Sequence, residues 1–324
     1  MYFDEFFEEF IFNCESRNLA DGTIKRYRKM LKLFKDFLEQ SKIDDLDDIT
    51  TKHIRHFMLS LKRKGSKETY INSHLKLLRS FFVWLEDEGY NDTNPTIGVK
   101  FFKEKKVVIK TFSDEEVLRM IEVAGIYKYN NRKVNTEFTR FITQRNKLII
   151  MLLADTAIRV NELCTIKNDD IYKDRILIKE GKGNKERFVY LSNSVTAQMM
   201  KYNRTRKNNF EDVVIDDNLI LSKNGTKTMP LDIQVVIKKL GKEANVRKEI
   251  RCSPHTLRHY SAQALLKNGV DVYSVSRILG HSNTKITEVY LRSLETDDVL
   301  MNTRNKSPLS LIKRKTVNKL KLNF

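Results

Sequence analysis

A chain of 324 residues is long enough for two domains, each burying its own core, and 40% hydrophobic residues exclude a disordered polymer. Sixty Lys and Arg against 42 Asp and Glu leave a net charge of +18, which points to a polyanionic partner, nucleic acid first. Cys14, Cys164 and Cys252 stand far apart with no C-x-x-C pair, which argues against a zinc cluster or a disulfide framework and fits a reducing cytoplasm.

The first stretch, MYFDEFFEEF, is acidic and amphipathic and lacks the basic start of a signal peptide. In TIKRYRKMLKLFKDFLEQ (23–40), Ile24, Tyr27, Leu31, Phe34 and Leu38 recur at steps of three and four between basic residues, which predicts a helix. HIRHFMLSLKRKG repeats the pattern and stops at Gly65. SKETYINSHLKLLRSFFVWLEDEGY (66–90) predicts another helix, capped at Ser66 with Thr69 nearby and ended by Gly89. Residues 1–95 are therefore read as a small helical bundle with a basic surface. Residues 96–111 (TIGVKFFKEKKVVIKT), lysine-rich and without helical period, are read as an extended linker.

Residues 112–303 form the expected second domain. Ser113 and Glu116 make a capping box at its start. Most of it reads as helix, with one antiparallel hairpin whose strands, RILIKE and ERFVYLS, flank the tip GKGNK (181–185). The polar stretch 125–146 has no assigned role. The longest apolar run, LIIMLLA (148–154), is too short to span a bilayer. A soluble cytoplasmic protein without membrane association is expected. Residues 304–324 carry seven basic residues and no acidic ones, together with Leu311, Ile312 and Leu320.

The segment SPHTLRHYSA (253–262) concentrates chemistry. His255 and His259 have the i, i+4 spacing of zinc-binding helices, but Thr256 stands where the general-base Glu of H-E-x-x-H belongs. Arg258 lies between them, and no third ligand is near. An oxyanion suits the cluster better: Pro254 fits a first helical turn, a helix N-terminus favours anions, and Arg258 presents a planar fork to phosphate oxygens. AIRVNEL supplies a second fork, Arg159, at the end of an apolar helix, with Glu162 placed to brace it. The tip GKGNK lacks the P-loop pattern, yet Lys182 sits on a glycine-rich turn that can reach a groove. LGHSNTKITEVY carries His281 and, nine residues on, Tyr290.

In this order the motifs resemble the tyrosine recombinase (phage integrase) family, close to its Xer-type and transposon-encoded members. The resemblance spans nearly the whole chain. It implies a mainly α fold with a small antiparallel β-hairpin, and two domains forming a C-shaped clamp on DNA. Residues 1–95 correspond to a helical, SAM-like core-binding domain, 112–303 to the catalytic domain, and 304–324 to a basic tail exchanged between protomers. The implied catalytic set is Tyr290 as nucleophile with Arg159, Lys182, His255, Arg258 and His281, supported by Glu162 and His259. Tyr290 would attack a DNA phosphate to give a 3′-phosphotyrosyl enzyme. Arg159 and Arg258 would hold the non-bridging oxygens, Lys182 would protonate the leaving 5′ oxygen, and His255 would assist proton movement at the tyrosine. His281 would bond the phosphate or hold Tyr290. No metal or cofactor is implied. The implied partners are double-stranded DNA with inverted core half-sites and other protomers, a homotetramer or a heterotetramer with a related recombinase on two duplexes. The sequence departs from the family at Ala157, where glycine is usual. A type IB topoisomerase-like enzyme and a non-catalytic DNA-binding protein are the alternatives.

Overall fold

The computed structural model describes residues 3–104, 109–126, 136–179, 186–211, 213–281 and 283–291, with the backbone of 128–129 and 132–133. The chain divides into two compact units, residues 1–107 and 108–324.

The first unit is built from α1 (Phe3–Ser16), α2 (Asp21–Gln40), α3 (Thr51–Arg63) and α4 (Glu68–Asp87). Phe3, Phe6, Phe7, Phe10, Ile11 and Cys14 recur on one face of α1, and all are buried. Phe7 and Phe10 meet Phe81 of α4 edge-on, at 5.1 and 5.4 Å between ring centroids. The expected apolar stripe of α2 lies inward, with Met30 added and Tyr27 only half-buried. Lys67, not Ser66, occupies the N-cap of α4, and no side chain caps that end. The chain turns between α3 and α4 at Gly65 in the left-handed region (φ 81°), so the helix is entered one residue later than composition suggested.

The lysine-rich stretch 96–111 has no helix or strand among its described residues, but it is not free. Thr96 and Val99 are buried in the first unit. Asn72 exchanges hydrogen bonds with the backbone of Phe102, and Arg79 donates to the Val99 carbonyl. On the other side, the Thr111 hydroxyl donates to the Thr256 carbonyl, and Gln263 donates to the carbonyl of Ile109.

The second unit contains α5 (Asp114–Ala124), β1 (Lys128–Tyr129), β2 (Arg132–Lys133), α6 (Glu137–Thr156), α7 (Val160–Thr165), β3 (Arg175–Ile178), β4 (Arg187–Tyr190), α8 (Asn193–Asn209), α9 (Pro230–Glu243), α10 (Pro254–Lys267), α11 (Val272–Leu279) and α12 (Lys285–Leu291). The Ser113 hydroxyl accepts from the amide of Glu116 while the Glu116 carboxylate accepts from the amide of Ser113, so the capping box opens α5 as expected. The polar stretch 125–146 contains the short β1–β2 pair and then the first half of α6, capped by Thr136. Leu148, Ile149, Ile150, Leu152 and Leu153 make α6 the buried axis of this unit, packed against α5, α8 and α10. β3 and β4 pair antiparallel in the register Arg175 with Tyr190 through Ile178 with Arg187. The tip 181–185, with Lys182, and the tail 304–324 lie outside the described residues.

Candidate active site

Four local devices bring the site together, and three of them are helix ends. Helix α6 stops at Ala157, whose backbone is left-handed (φ 54°, ψ 21°). This is the position where the resemblance leads one to expect glycine, and the reason for that residue is now visible: a side chain is strained in this conformation. The turn delivers Arg159 to the N-cap of α7. There the Arg159 amide and Nη1 both donate to the Glu162 carboxylate, each at 2.7 Å. Glu162 is buried, so this ion pair is held inside the protein and is not a surface pair.

The second device opens α10. Ser253 caps it through the Thr256 amide, and Pro254 takes the first turn. His255 is left exposed, Arg258 is buried with 4% of its surface accessible, and His259 is half-buried.

The third device is the end of α11. The last carbonyls of a helix lack intrahelical partners and carry the negative end of its dipole. Here three successive ones each accept from a different arginine. Arg187 Nε donates to Ile278 at 2.9 Å, Arg258 Nη2 to Leu279 at 2.6 Å, and Arg159 Nη2 to Gly280 at 3.0 Å. Arg258 Nη1 donates in addition to the carbonyl of Ala157, at 2.6 Å. Gly280 is left-handed (φ 62°), and a Cβ there would lie 3.0 Å from Arg187 Nη1. Glycine is therefore favoured at this turn on two counts.

The fourth device is α12, which brings Tyr290 against α10. The Tyr290 hydroxyl lies 2.9 Å from His259 Nδ1, and the residue is 4% accessible. His281, just past α11, has Nε2 3.3 Å from Arg258 Nη2 and Nδ1 2.9 Å from the Thr287 hydroxyl. Arginine only donates, so His281 accepts at Nε2 and donates from Nδ1. His281 thus touches Arg258 and the helix of Tyr290.

Electrostatics follow from this geometry. Glu162 alone neutralises two guanidiniums: besides Arg159 it accepts from Arg187 Nη1 and Nη2 at 3.0 and 2.8 Å. Burial raises its pKa, but the hydrogen bonds from Arg187 and the Arg159 amide outweigh burial and bring it to about 2. Arg258 gives its hydrogen bonds to carbonyls and a histidine, and makes no ion pair with a carboxylate among the described residues. Burial, then the nearby charge of Arg159, lowers its pKa to about 10. His259 and His281 fall to about 4, first through burial and then through neighbouring positive charge, from His255 and Arg258 for the former and from Arg258, Arg159 and Arg187 for the latter. His255 is lowered for the same reasons. Burial raises the pKa of Tyr290, with Arg258 and Arg159 pulling the other way. The site is a compact set of cations beside a phenol, which suits an anionic substrate attacked by oxygen.

Arg159, Glu162, His255, Arg258, His259, His281 and Tyr290 are thus gathered in one place. Sequence reasoning missed Arg187 and Thr287. Arg187 carried one signal: it is the first residue of the strand after the glycine-rich tip, where an inward arginine breaks the alternation. Among the described residues no group of three or more His, Cys, Asp or Glu is arranged to hold a metal ion, and no helix is long and apolar enough to cross a membrane.

Residues 116–297 match the phage integrase family, and residues 4–89 match the phage integrase N-terminal SAM-like domain. The chain is 30% identical over 281 residues to tyrosine recombinase XerD of Staphylococcus haemolyticus, covering 86% of this chain and 90% of that protein. It is 28% identical over 293 residues to tyrosine recombinase XerC of Oceanobacillus iheyensis, covering 90% of each. Among solved structures it is similar in fold to a lambda integrase tetramer bound to a Holliday junction, with a TM-score of 0.71 and 18% identity over 92% of this chain and 80% of that one. It is also similar to the Tn1549 transposon integrase in complex with transposon right end DNA, with a TM-score of 0.70 and 15% identity over 95% of this chain and 100% of that one.

Proposed function

Because this chain belongs to the phage integrase family of tyrosine recombinases, we infer that it is a site-specific recombinase, which cleaves and rejoins DNA strands through a 3′-phosphotyrosyl intermediate. The observation that carries the mechanism is the row of three arginines on the end of α11 beside the Tyr290 hydroxyl.

In this reading Tyr290 Oη attacks the scissile phosphorus. The Oη–P bond forms and the bond from phosphorus to the 5′ oxygen breaks, leaving a free 5′-hydroxyl on the departing strand. Arg159 and Arg258 bond the non-bridging oxygens and stabilise the charge that grows on them, a contribution that is large when donors are fixed in advance. His255, the exposed histidine of α10, contacts the phosphate, and His281 keeps Arg258 in line. Lys182, on the hairpin tip, supplies the proton for the 5′ oxygen. Attack by a 5′-hydroxyl of the partner strand reverses the step. The phosphotyrosyl bond conserves the energy of the phosphodiester, so the cycle needs no nucleotide cofactor, and the arginines take the role that a metal ion would play.

The proposed substrate is double-stranded DNA with inverted core half-sites, bound by four protomers on two duplexes, all alike or paired with a related recombinase. The resemblance to the lambda integrase tetramer supports this assembly. Residues 1–95 would bind the core site, 112–303 would carry out the chemistry, and 304–324 would dock on a neighbouring protomer. The net charge of +18 supports the DNA partner. The cytoplasm, where the chromosome and mobile elements are found, is the proposed location, and integration and excision of such an element or resolution of DNA dimers is the proposed task.

A nicked suicide half-site tests the chemistry. The wild-type chain should be trapped as a covalent protein–DNA adduct in excess EDTA, and Tyr290→Phe should bind the half-site without forming it. An adduct from Tyr290→Phe, or one that needs added metal, overturns the mechanism.

A further inference from the structure

The attacking phenol must lose its proton, and the structure offers two histidines on α10 one turn apart. We propose that His259, and not the exposed His255, accepts the Tyr290 proton. This rests on the recombinase reading above. A nucleophile and its base must lie within hydrogen-bond reach, roughly 2.6–3.2 Å, and His259 Nδ1 is 2.9 Å from Tyr290 Oη.

The surroundings suit the role. Tyr290 is buried and His259 is half-buried, so the Oη–Nδ1 pair is shielded from competing water. The rings tilt at 53° to each other with centroids 5.4 Å apart, so the two side chains are also in contact beyond the hydrogen bond. α10 and α12 pack directly on each other, and both residues are carried on these helices. Burial and the charges of His255 and Arg258 keep the imidazole neutral at physiological pH, with Nδ1 able to accept once the ring proton sits on Nε2.

A neutral imidazole of low basicity is a weak acceptor in the free protein, but the substrate changes that balance. The phosphate brings negative charge against Arg258, the neighbour on α10 that disfavours imidazolium. As the Oη–P bond forms, the proton passes from Oη to Nδ1, and the imidazolium is stabilised by the growing negative charge. When the bond to Tyr290 breaks on resealing, Nδ1 returns the proton to Oη. No further reactant is needed.

His259→Asn is the discriminating variant, because an amide oxygen can accept the hydrogen bond yet cannot take the proton. Single-turnover cleavage of the suicide half-site by His259→Asn should fall about 10²–10⁴-fold, with half-site binding unchanged. The remaining rate should rise about tenfold per pH unit from pH 6 to 9, since it depends on the small phenolate fraction, while the wild-type rate stays flat. Added imidazole should restore part of the rate to His259→Ala. Near-wild-type cleavage by His259→Asn, or a loss equal at every pH and not relieved by imidazole, overturns the proposal and leaves His259 a packing residue. Absence of any adduct from the wild-type chain overturns the recombinase reading instead.

Discussion

Arg258 donates one guanidinium nitrogen to the carbonyl of Ala157, 2.6 Å away, and Ala157 holds a left-handed backbone at the end of α6. The carbonyl points at Arg258 only because the turn is left-handed, so a strained residue positions a cation of the site. Alanine bears roughly 1–2 kcal/mol of strain in that conformation, while glycine bears none but loses more freedom on folding. Ala157→Gly should therefore raise stability by no more than about 1 kcal/mol and leave adduct formation intact. Ala157→Val, branched and fully buried, should lose about 2 kcal/mol or more and cleave poorly. Urea unfolding read beside the suicide assay checks both. A strongly destabilised Ala157→Gly would mean that the turn is not left-handed.

Arg187 ties the strand after the hairpin tip to Glu162 and to α11. Arg187→Lys keeps the charge but loses the fork that meets both carboxylate oxygens. Freed of one partner, Glu162 can shift and take Arg159 with it, and a displacement near 1 Å costs about 10²-fold in rate. The expected outcome is a cleavage loss of that order with DNA binding retained. Gly280→Ala should resemble it, since the new Cβ presses on Arg187. Wild-type cleavage by both variants would reduce Arg187 to a structural brace.

DNA affinity should fall steeply with salt. If the chain neutralises about 6–10 phosphates, the loss between 50 and 200 mM salt is about 10³–10⁵-fold, measurable by fluorescence anisotropy on a labelled half-site. A nearly flat response would place the +18 charge away from the DNA.

Acid should weaken the fold in two stages. His74, His259 and His281 have folded pKa values of about 4, chiefly through burial, against 6.5 for the free side chain. The unfolded chain takes up protons that the folded chain refuses, so stability drops as pH falls from 6.5 towards 4. Glu162 and Glu116, the latter hydrogen-bonded by Arg247, are both held at about 2 against 4.5, and their contribution is lost as pH falls from 4.5 towards 2. Urea midpoints measured from pH 7 to pH 3 should decline already above pH 5. His74 is buried in the first unit with no partner for Nε2 among the described residues, so His74→Leu should flatten the upper part of the decline. A midpoint constant down to pH 4.5 would contradict the buried histidines.

How much of this was legible in the sequence depended on what kind of atom does the work. Arg159, Arg258, His281 and Tyr290 stand in short motifs with typed side chains, so order and spacing singled them out as candidates. The helices of the first unit followed from apolar period, and the capping box at Ser113 from local hydrogen-bond chemistry. The carbonyls of Ala157, Ile278, Leu279 and Gly280 have no residue-type signature, so the bonds that hold the arginines were invisible. The contact between His259 and Tyr290 joins residues thirty-one apart, and no periodic pattern encodes it. Ser66 misled because a good capping residue sits one position too early, where Gly65 has already set the turn.

The row of arginines at the end of α11 has a thermodynamic consequence for the free protein. Three guanidiniums stand beside one carboxylate that pairs with only two of them, and mutual repulsion among them is charged against the folded state alone, because the unfolded chain disperses them in water. An anion that binds only the folded site removes that penalty, and a ligand at a hundredfold excess over its dissociation constant adds about 2.7 kcal/mol of stability. The second unit should accordingly melt at a higher temperature with half-site DNA present. Fold and substrate are in that sense partners: the cations that make the site ready for a phosphate also make the unit more stable once it holds one.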